Sequence, residues 1–125
     1  MKQKIFTVAT VLFALMFING GLNKFFNYIP VPPDMPAELV KDNAALMEVV
    51  WLMPLIAVVE LVGGFLLLVP KFRALGAIIL FPIIVGILLL HATVAVSGLP
   101  LAIILTGILS WILWENREKY LSMVN

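Results

Sequence analysis

Four stretches of this chain run almost without charge: Ile5–Asn23, Val49–Val69, Ala74–Val96 and Leu99–Trp114. At ~1.5 Å per residue, a helix of about 20 residues reaches ~30 Å, the thickness of the hydrocarbon layer of a bilayer. Pro70-Lys71-Phe72-Arg73 and Ser97-Gly98-Leu99-Pro100 are short turns between such runs, and turns that short join antiparallel neighbours. The expected fold is therefore all-α, an integral membrane four-helix bundle of antiparallel up-down crossings. It forms a single membrane domain over residues 1–125, with helices at about 5–26, 44–69, 73–96 and 99–116 and an outer loop at about 27–43.

Composition sets the solvent. Of 125 residues, 63% are hydrophobic and 12% charged, more apolar surface than a soluble domain of this length can hide. The lipid bilayer is the first expected partner. A net charge of +1 makes no electrostatic case for nucleic acid. With no cysteine, the chain cannot form disulfides, thiolate metal sites, iron–sulfur clusters or covalent haem attachment. The single histidine, His91, would allow a bis-histidine haem only between two chains. No metal is expected, and a redox role needs a bound cofactor or a partner protein.

Charge placement sets orientation. Lys2 and Lys4, Lys71 and Arg73, and Arg117 and Lys119 fall on one side of four crossings. The other side holds Lys24 and Lys41 against Asp34, Glu38, Asp42 and Glu48. The positive-inside rule puts both termini in the cytoplasm. Trp111, Trp114 and Tyr120 are expected as interfacial aromatics on that side. The charged start before Ile5 also suits a signal peptide, but the run is long and lacks an Ala-x-Ala site, so a retained helix is expected. In the outer stretch, Pro30, Pro32, Pro33 and Pro36 keep the chain extended. Asp34 reads as the cap of a short helix, and Asp42-Asn43 as a cap before the second crossing. The stretch is a solvated connector on the membrane surface or, as the alternative, a lid over a pocket.

Glu60 stands near the middle of the second apolar run, where burying its charge costs about 2.5–3.5 kcal/mol. The run's many Val, Leu, Ile and Phe residues outweigh that cost, leaving one expensive group in need of a partner. Counting depth from helix midpoints puts Glu60 at the midplane and Asn19 roughly 4 Å toward the outside. Asn23, Lys24 and His91 fall about 10–12 Å outward. Asn19 and Asn23 share a helix face, and Asn19 is the expected hydrogen-bond partner of Glu60. Lys24 reaches Glu60 only if its side chain turns inward instead of snorkelling. Without a cation, a buried carboxyl favours its neutral form. The candidate ligand-binding or proton-titrating residues are Glu60, Asn19, Asn23, Lys24 and His91. Each has an ordinary counterpart: packing amides, an interfacial lysine, a half-buried histidine. Gly20, Gly21, Gly63 and Gly64 are read as helix-packing positions, and Pro54 and Pro82 as kinks.

Asn19-Gly20-Gly21-Leu22-Asn23-Lys24 and Glu60-Leu61-Val62-Gly63-Gly64 together resemble the DoxX family of small bacterial four-helix membrane proteins. Met53-Pro54-Leu55-Ile56, Phe81-Pro82-Ile83-Ile84-Val85 and His91 to Pro100 extend the likeness to its compact DoxX-like branch. Gly86 departs from a third-helix pattern that often carries Asn there. The resemblance implies a multi-pass protein of the bacterial inner membrane. It also implies a link, in some members, to membrane redox systems, including a quinone-linked thiosulfate-oxidising complex.

Three functions compete. The first is a membrane subunit or binding module holding a small lipophile, such as a quinone, with Glu60 as proton acceptor or hydrogen-bond donor and electrons from a redox partner protein. The second is a proton-coupled small-solute carrier, which at this size would work as a homodimer. The third is a structural or assembly subunit. Stand-alone catalysis ranks last, because no nucleophile–base pair, metal cluster or nucleotide loop is present in the sequence.

Overall fold

The computed structural model describes residues 1–30 and 33–124, and every regular element among them is a helix. Pro32 lies outside the described residues. α1 (Lys2–Phe26) buries Phe6, Thr10, Phe13, Ala14, Phe17 and Gly21, whose spacing of three and four residues makes one face. The helix stops where Asn27 turns left-handed at φ 52°, its N–H donating to the Asn23 carbonyl at 2.6 Å. Asparagine tolerates that conformation better than most residues with a side chain.

The second expected helix, 44–69, is not one helix. α2 (Ala37–Glu48) and α3 (Leu52–Leu68) replace it, separated by a turn at Val49–Trp51 and bent by 94°. Pro54 explains the position of the break. In a helix continuing through residue 50, its ring would clash with the Val50 carbonyl; in the first turn of α3 its missing N–H costs nothing. Pro54 thus starts a helix instead of kinking one. Asp42 and Asn43 lie inside α2, whose cap position is Pro36, and Asp34 makes no capping hydrogen bond.

A short 3₁₀ turn at Pro70–Phe72 leads into α4 (Arg73–Thr93), which keeps Pro82 in its interior. α4 ends three residues earlier than expected, and a second 3₁₀ turn, Val96–Gly98, leads into α5 (Leu99–Glu115). Pro100 sits in the first turn of α5. α6 (Arg117–Leu121) follows.

Packing runs α1 on α3, α3 on α4 and α4 on α5, with α5 closing on α1 through an edge contact of Trp111 on Phe6 at 5.1 Å. Absent side chains set the closest approaches. A Cβ on Gly21 would lie 2.9 Å from the Ala57 carbonyl oxygen, and one on Gly64 would lie 3.0 Å from that of Ala14. These pairs show that α1 and α3 run antiparallel. A Cβ on Gly76 would lie 2.8 Å from the Gly63 carbonyl oxygen, so α4 approaches α3 as closely. The core is apolar, built on Phe13, Phe17, Leu67, Leu80, Leu109 and Ile112. Thr10 is fully buried in it, its hydroxyl without a partner among the described residues.

The exterior is as apolar as the interior: Leu12, Phe65, Leu89 and Ile103 are all more than half exposed. Three helical segments, Lys2–Phe26, Pro70–Thr93 and Val96–Glu115, are long and apolar enough to cross a membrane. A fourth crossing is reached when α2 and α3 are taken as one bent span. The chain is a multi-pass membrane protein.

Candidate functional site

Glu60 is the middle residue of α3, 5% exposed, and its partner is Lys24. The Lys24 Nζ donates to Glu60 Oε1 at 2.5 Å, the one salt bridge among the described residues. The contact was expected only if the Lys24 side chain turned inward instead of snorkelling, and it does turn inward. Two features close the distance. First, helix midpoints do not align: Ala14, the middle of α1, packs against Gly64, four residues past the middle of α3. In that register Lys24 stands level with Pro54, about 9 Å along the axis from Glu60. Second, helical side chains tilt toward the N-terminus of their own helix, so on these antiparallel helices Lys24 and Glu60 lean toward each other.

Gly20 leaves the carboxylate its place. It lies one turn before Lys24 on the same face, and a Cβ there would come within 3.3 Å of Glu60 Oε2. The residue expected as a packing glycine thus also forms part of the site. Lys24 keeps 24% of its side chain accessible while Glu60 keeps 6%, so the ammonium is the approachable side of the pair. An ammonium has three N–H donors, and Glu60 takes one.

The expected hydrogen bond from Asn19 to Glu60 does not form. Asn19 is exposed, one residue and about 100° around the helix from Gly20. The Tyr28 hydroxyl donates toward its carbonyl oxygen at 2.9 Å and also toward its Oδ1. Asn23 Oδ1 accepts the Ile29 N–H at 2.8 Å. The two amides share a face, and that face holds the returning chain at Asn27–Ile29. Tyr28 was missed in the sequence because nothing local marks its phenol as the partner of a residue nine positions earlier.

His91 belongs to the α4–α5 turn. Its Nδ1 lies 2.8 Å from the Ile87 carbonyl oxygen, and its ring fills the space a side chain on Gly98 would need. No hydrogen bond or ion pair among the described residues joins it to Glu60. Among the described residues no three His, Asp or Glu side chains gather as metal ligands. Shallow grooves lined by Gln3, Lys4, Thr7, Val8 and Leu12 lie at the far end of α1 from Lys24.

That far end holds a second buried charge. Arg73, 8% exposed, donates from Nε to the Leu67 carbonyl at 2.8 Å and lies over the Phe6 ring at 5.9 Å. The Tyr120 hydroxyl donates to the Ala74 carbonyl at 2.7 Å, and its burial raises the phenol above its usual pKa.

Fold and site together define a class: a multi-pass α-helical membrane protein with an ion pair buried between its first helix and the helix that holds Glu60. The chain belongs to the DoxX family, whose family model matches residues 6–93 and so takes in Lys24, Glu60 and Arg73. It is also 36% identical over 64 residues to the uncharacterized protein YwoB of Bacillus subtilis (strain 168). That match covers 51% of this chain and 42% of the relative, less than half the relative's length. No solved structure matches the chain.

Proposed function

We propose that the protein is a subunit or binding module of a redox system in the bacterial inner membrane, in which the Lys24–Glu60 pair binds a small lipophile and moves a proton. In this reading the chain crosses four times, with α3 as the second crossing. Both termini lie in the cytoplasm and α2, bent by 94° from α3, rests on the outer surface. The supporting observation is the pair itself: a carboxylate at the middle of α3, held at 2.5 Å by an ammonium that stays partly accessible. Intramembrane acids are costly, and function is the usual reason to keep one.

The donor set suits an acceptor oxygen on an apolar ligand, and a quinone is the proposed class. When bound, a quinone supplies two-electron chemistry that also takes up two protons, the electrons coming from a redox partner protein. Lys24 would direct a free N–H at the ligand oxygen. Glu60 would hold that ammonium in place and take or return a proton through it. Gly20 would keep the carboxylate seated.

Extraction of the protein purified in mild detergent, followed by mass spectrometry, tests this. The expected result is a co-purified quinone, lost in Glu60→Gln and Lys24→Met variants that still fold. If no quinone is extracted and Glu60→Gln leaves quinone-dependent activity of host membranes unchanged, the proposal fails.

A second reading has support in the same geometry. The carboxylate already has its partner inside the chain, so in this reading the pair does no more than lock the register of α1 against α3. A variant carrying both Lys24→Met and Glu60→Met separates the two: unchanged complex assembly and membrane activity would favour the lock.

A further inference from the structure

Arg73 carries a charge that the chain does not answer. It is 8% exposed, yet no carboxylate among the described residues comes within ion-pair distance. A guanidinium has five N–H donors, and among the described residues only Nε has a hydrogen-bond partner, the Leu67 carbonyl. The remaining donors are not sealed in. Thr10 Oγ1 is the only fully buried side-chain N or O atom without a partner among the described residues, so the Arg73 Nη groups reach the surface.

Two more cations lie on or against the turn that leads to Arg73, Lys71 with its ammonium 5.6 Å from the Phe72 ring centroid and Lys119. Lys119 Nζ lies 3.5 Å from the Lys71 carbonyl oxygen, and Tyr120, next along α6, is bonded to the Ala74 carbonyl. α6 is thereby held over the turn that carries Lys71 and Arg73, and both lysines are exposed. The nearby acids do not neutralise the group: Glu115 accepts from Trp111 Nε1 at 3.2 Å, and Glu118 makes no salt bridge.

We propose that Lys71, Arg73 and Lys119 bind the phosphate of an anionic phospholipid. The place fits the occupant. The cluster lies where the spans Pro70–Thr93 and Val96–Glu115 end, the depth at which lipid phosphates sit. Phe72, next to Arg73, and Trp114, at the same end of the helices beneath Arg117, are exposed to meet acyl chains and the interface. A planar guanidinium offers two parallel N–H bonds to a phosphate, and the flanking ammonium groups add charge. This site needs only that the chain spans a membrane, and it is independent of any ligand at Lys24.

The test is thermal unfolding and native mass spectrometry of the protein in nanodiscs of phosphatidylcholine with or without phosphatidylglycerol. Wild type is expected to melt higher and retain phosphatidylglycerol. Arg73→Gln should weaken that retention about tenfold. Because Arg73 is buried, the exposed double variant Lys71→Gln/Lys119→Gln provides an independent measure and should also lose most of the preference. Lys2→Gln/Lys4→Gln changes net charge equally and should keep it. Equal losses in the two double variants, or an undiminished preference in both Arg73→Gln and Lys71→Gln/Lys119→Gln, would overturn the proposal. So would the same stabilisation of wild type by free inorganic phosphate in pure phosphatidylcholine discs.

Discussion

Glu60 and Arg73 are both buried, on neighbouring helices near opposite ends of α1, yet only Glu60 meets an opposite charge within the chain. Lys24 neutralises it at 2.5 Å, whereas Arg73 has a backbone carbonyl and a phenyl face. The difference follows from depth. A charge at the middle of α3 is enclosed by neighbouring helices, so it is paired from inside. One at the first residue of α4 lies near the headgroups, where water and lipid phosphates supply what the chain does not. The first arrangement fixes two helices to each other. The second leaves a cation directed at the surroundings.

The largest expected effect comes from breaking the internal pair. Lys24→Met leaves an unanswered carboxylate at the middle of α3 and should lower unfolding stability in detergent by about 3 kcal/mol. Lys24→Met/Glu60→Met removes both charges and should recover most of that loss. Arg73→Met strands no charge and should cost only about 1–2 kcal/mol, through one hydrogen bond and a ring contact. If the Arg73 change proved as severe as Lys24→Met, Arg73 would have to have an internal anion and the contrast would collapse.

An intermediate effect sharpens the same site. Gly21→Ala drives a methyl into the Ala57 backbone and should cost about 1–3 kcal/mol. Gly20→Ala meets only the tip of the Glu60 side chain, which can shift. It should cost less than about 1 kcal/mol in stability while disturbing the pair. Melting curves of the two variants compared with their quinone retention should therefore rank in opposite order.

A modest effect, visible mainly at alkaline pH, lies at the Arg73 end. Tyr120→Phe removes the bond to the Ala74 carbonyl and should cost about 1 kcal/mol. The raised phenol pKa predicts a pH signature. The folded state holds the phenolic proton more tightly than the unfolded chain does. The contribution is therefore complete below the usual tyrosine pKa near 10 and is lost as pH climbs through the higher folded value. Wild type should lose melting temperature in that alkaline window more steeply than Tyr120→Phe.

Much of this was legible in the chain. Apolar runs and the turns at Pro70 and Pro100 marked the helices, and the lone acid marked the site. The break at Val49–Trp51 was not, because good helix formers, Ala44 to Glu48, lead directly into the apolar run and only the ring of Pro54, acting on a carbonyl four residues earlier, decides where the helix starts. Nor was the pairing. Asn19 is indeed level with Glu60, but Gly20 is the residue that faces the carboxylate, and Asn19 lies about 100° around α1 from it, an angle fixed only by the packing of α1 on α3.

By itself, then, the sequence determined an all-helical membrane protein with a buried acid in its second long apolar run, since hydrophobic run length and the cost of burying charge are local properties. Tertiary structure alone decided that Lys24, and neither Asn19 nor His91, answers that acid. Partnership depends on helix register and side-chain tilt, and those are set where the backbones meet at Gly21 and Gly64.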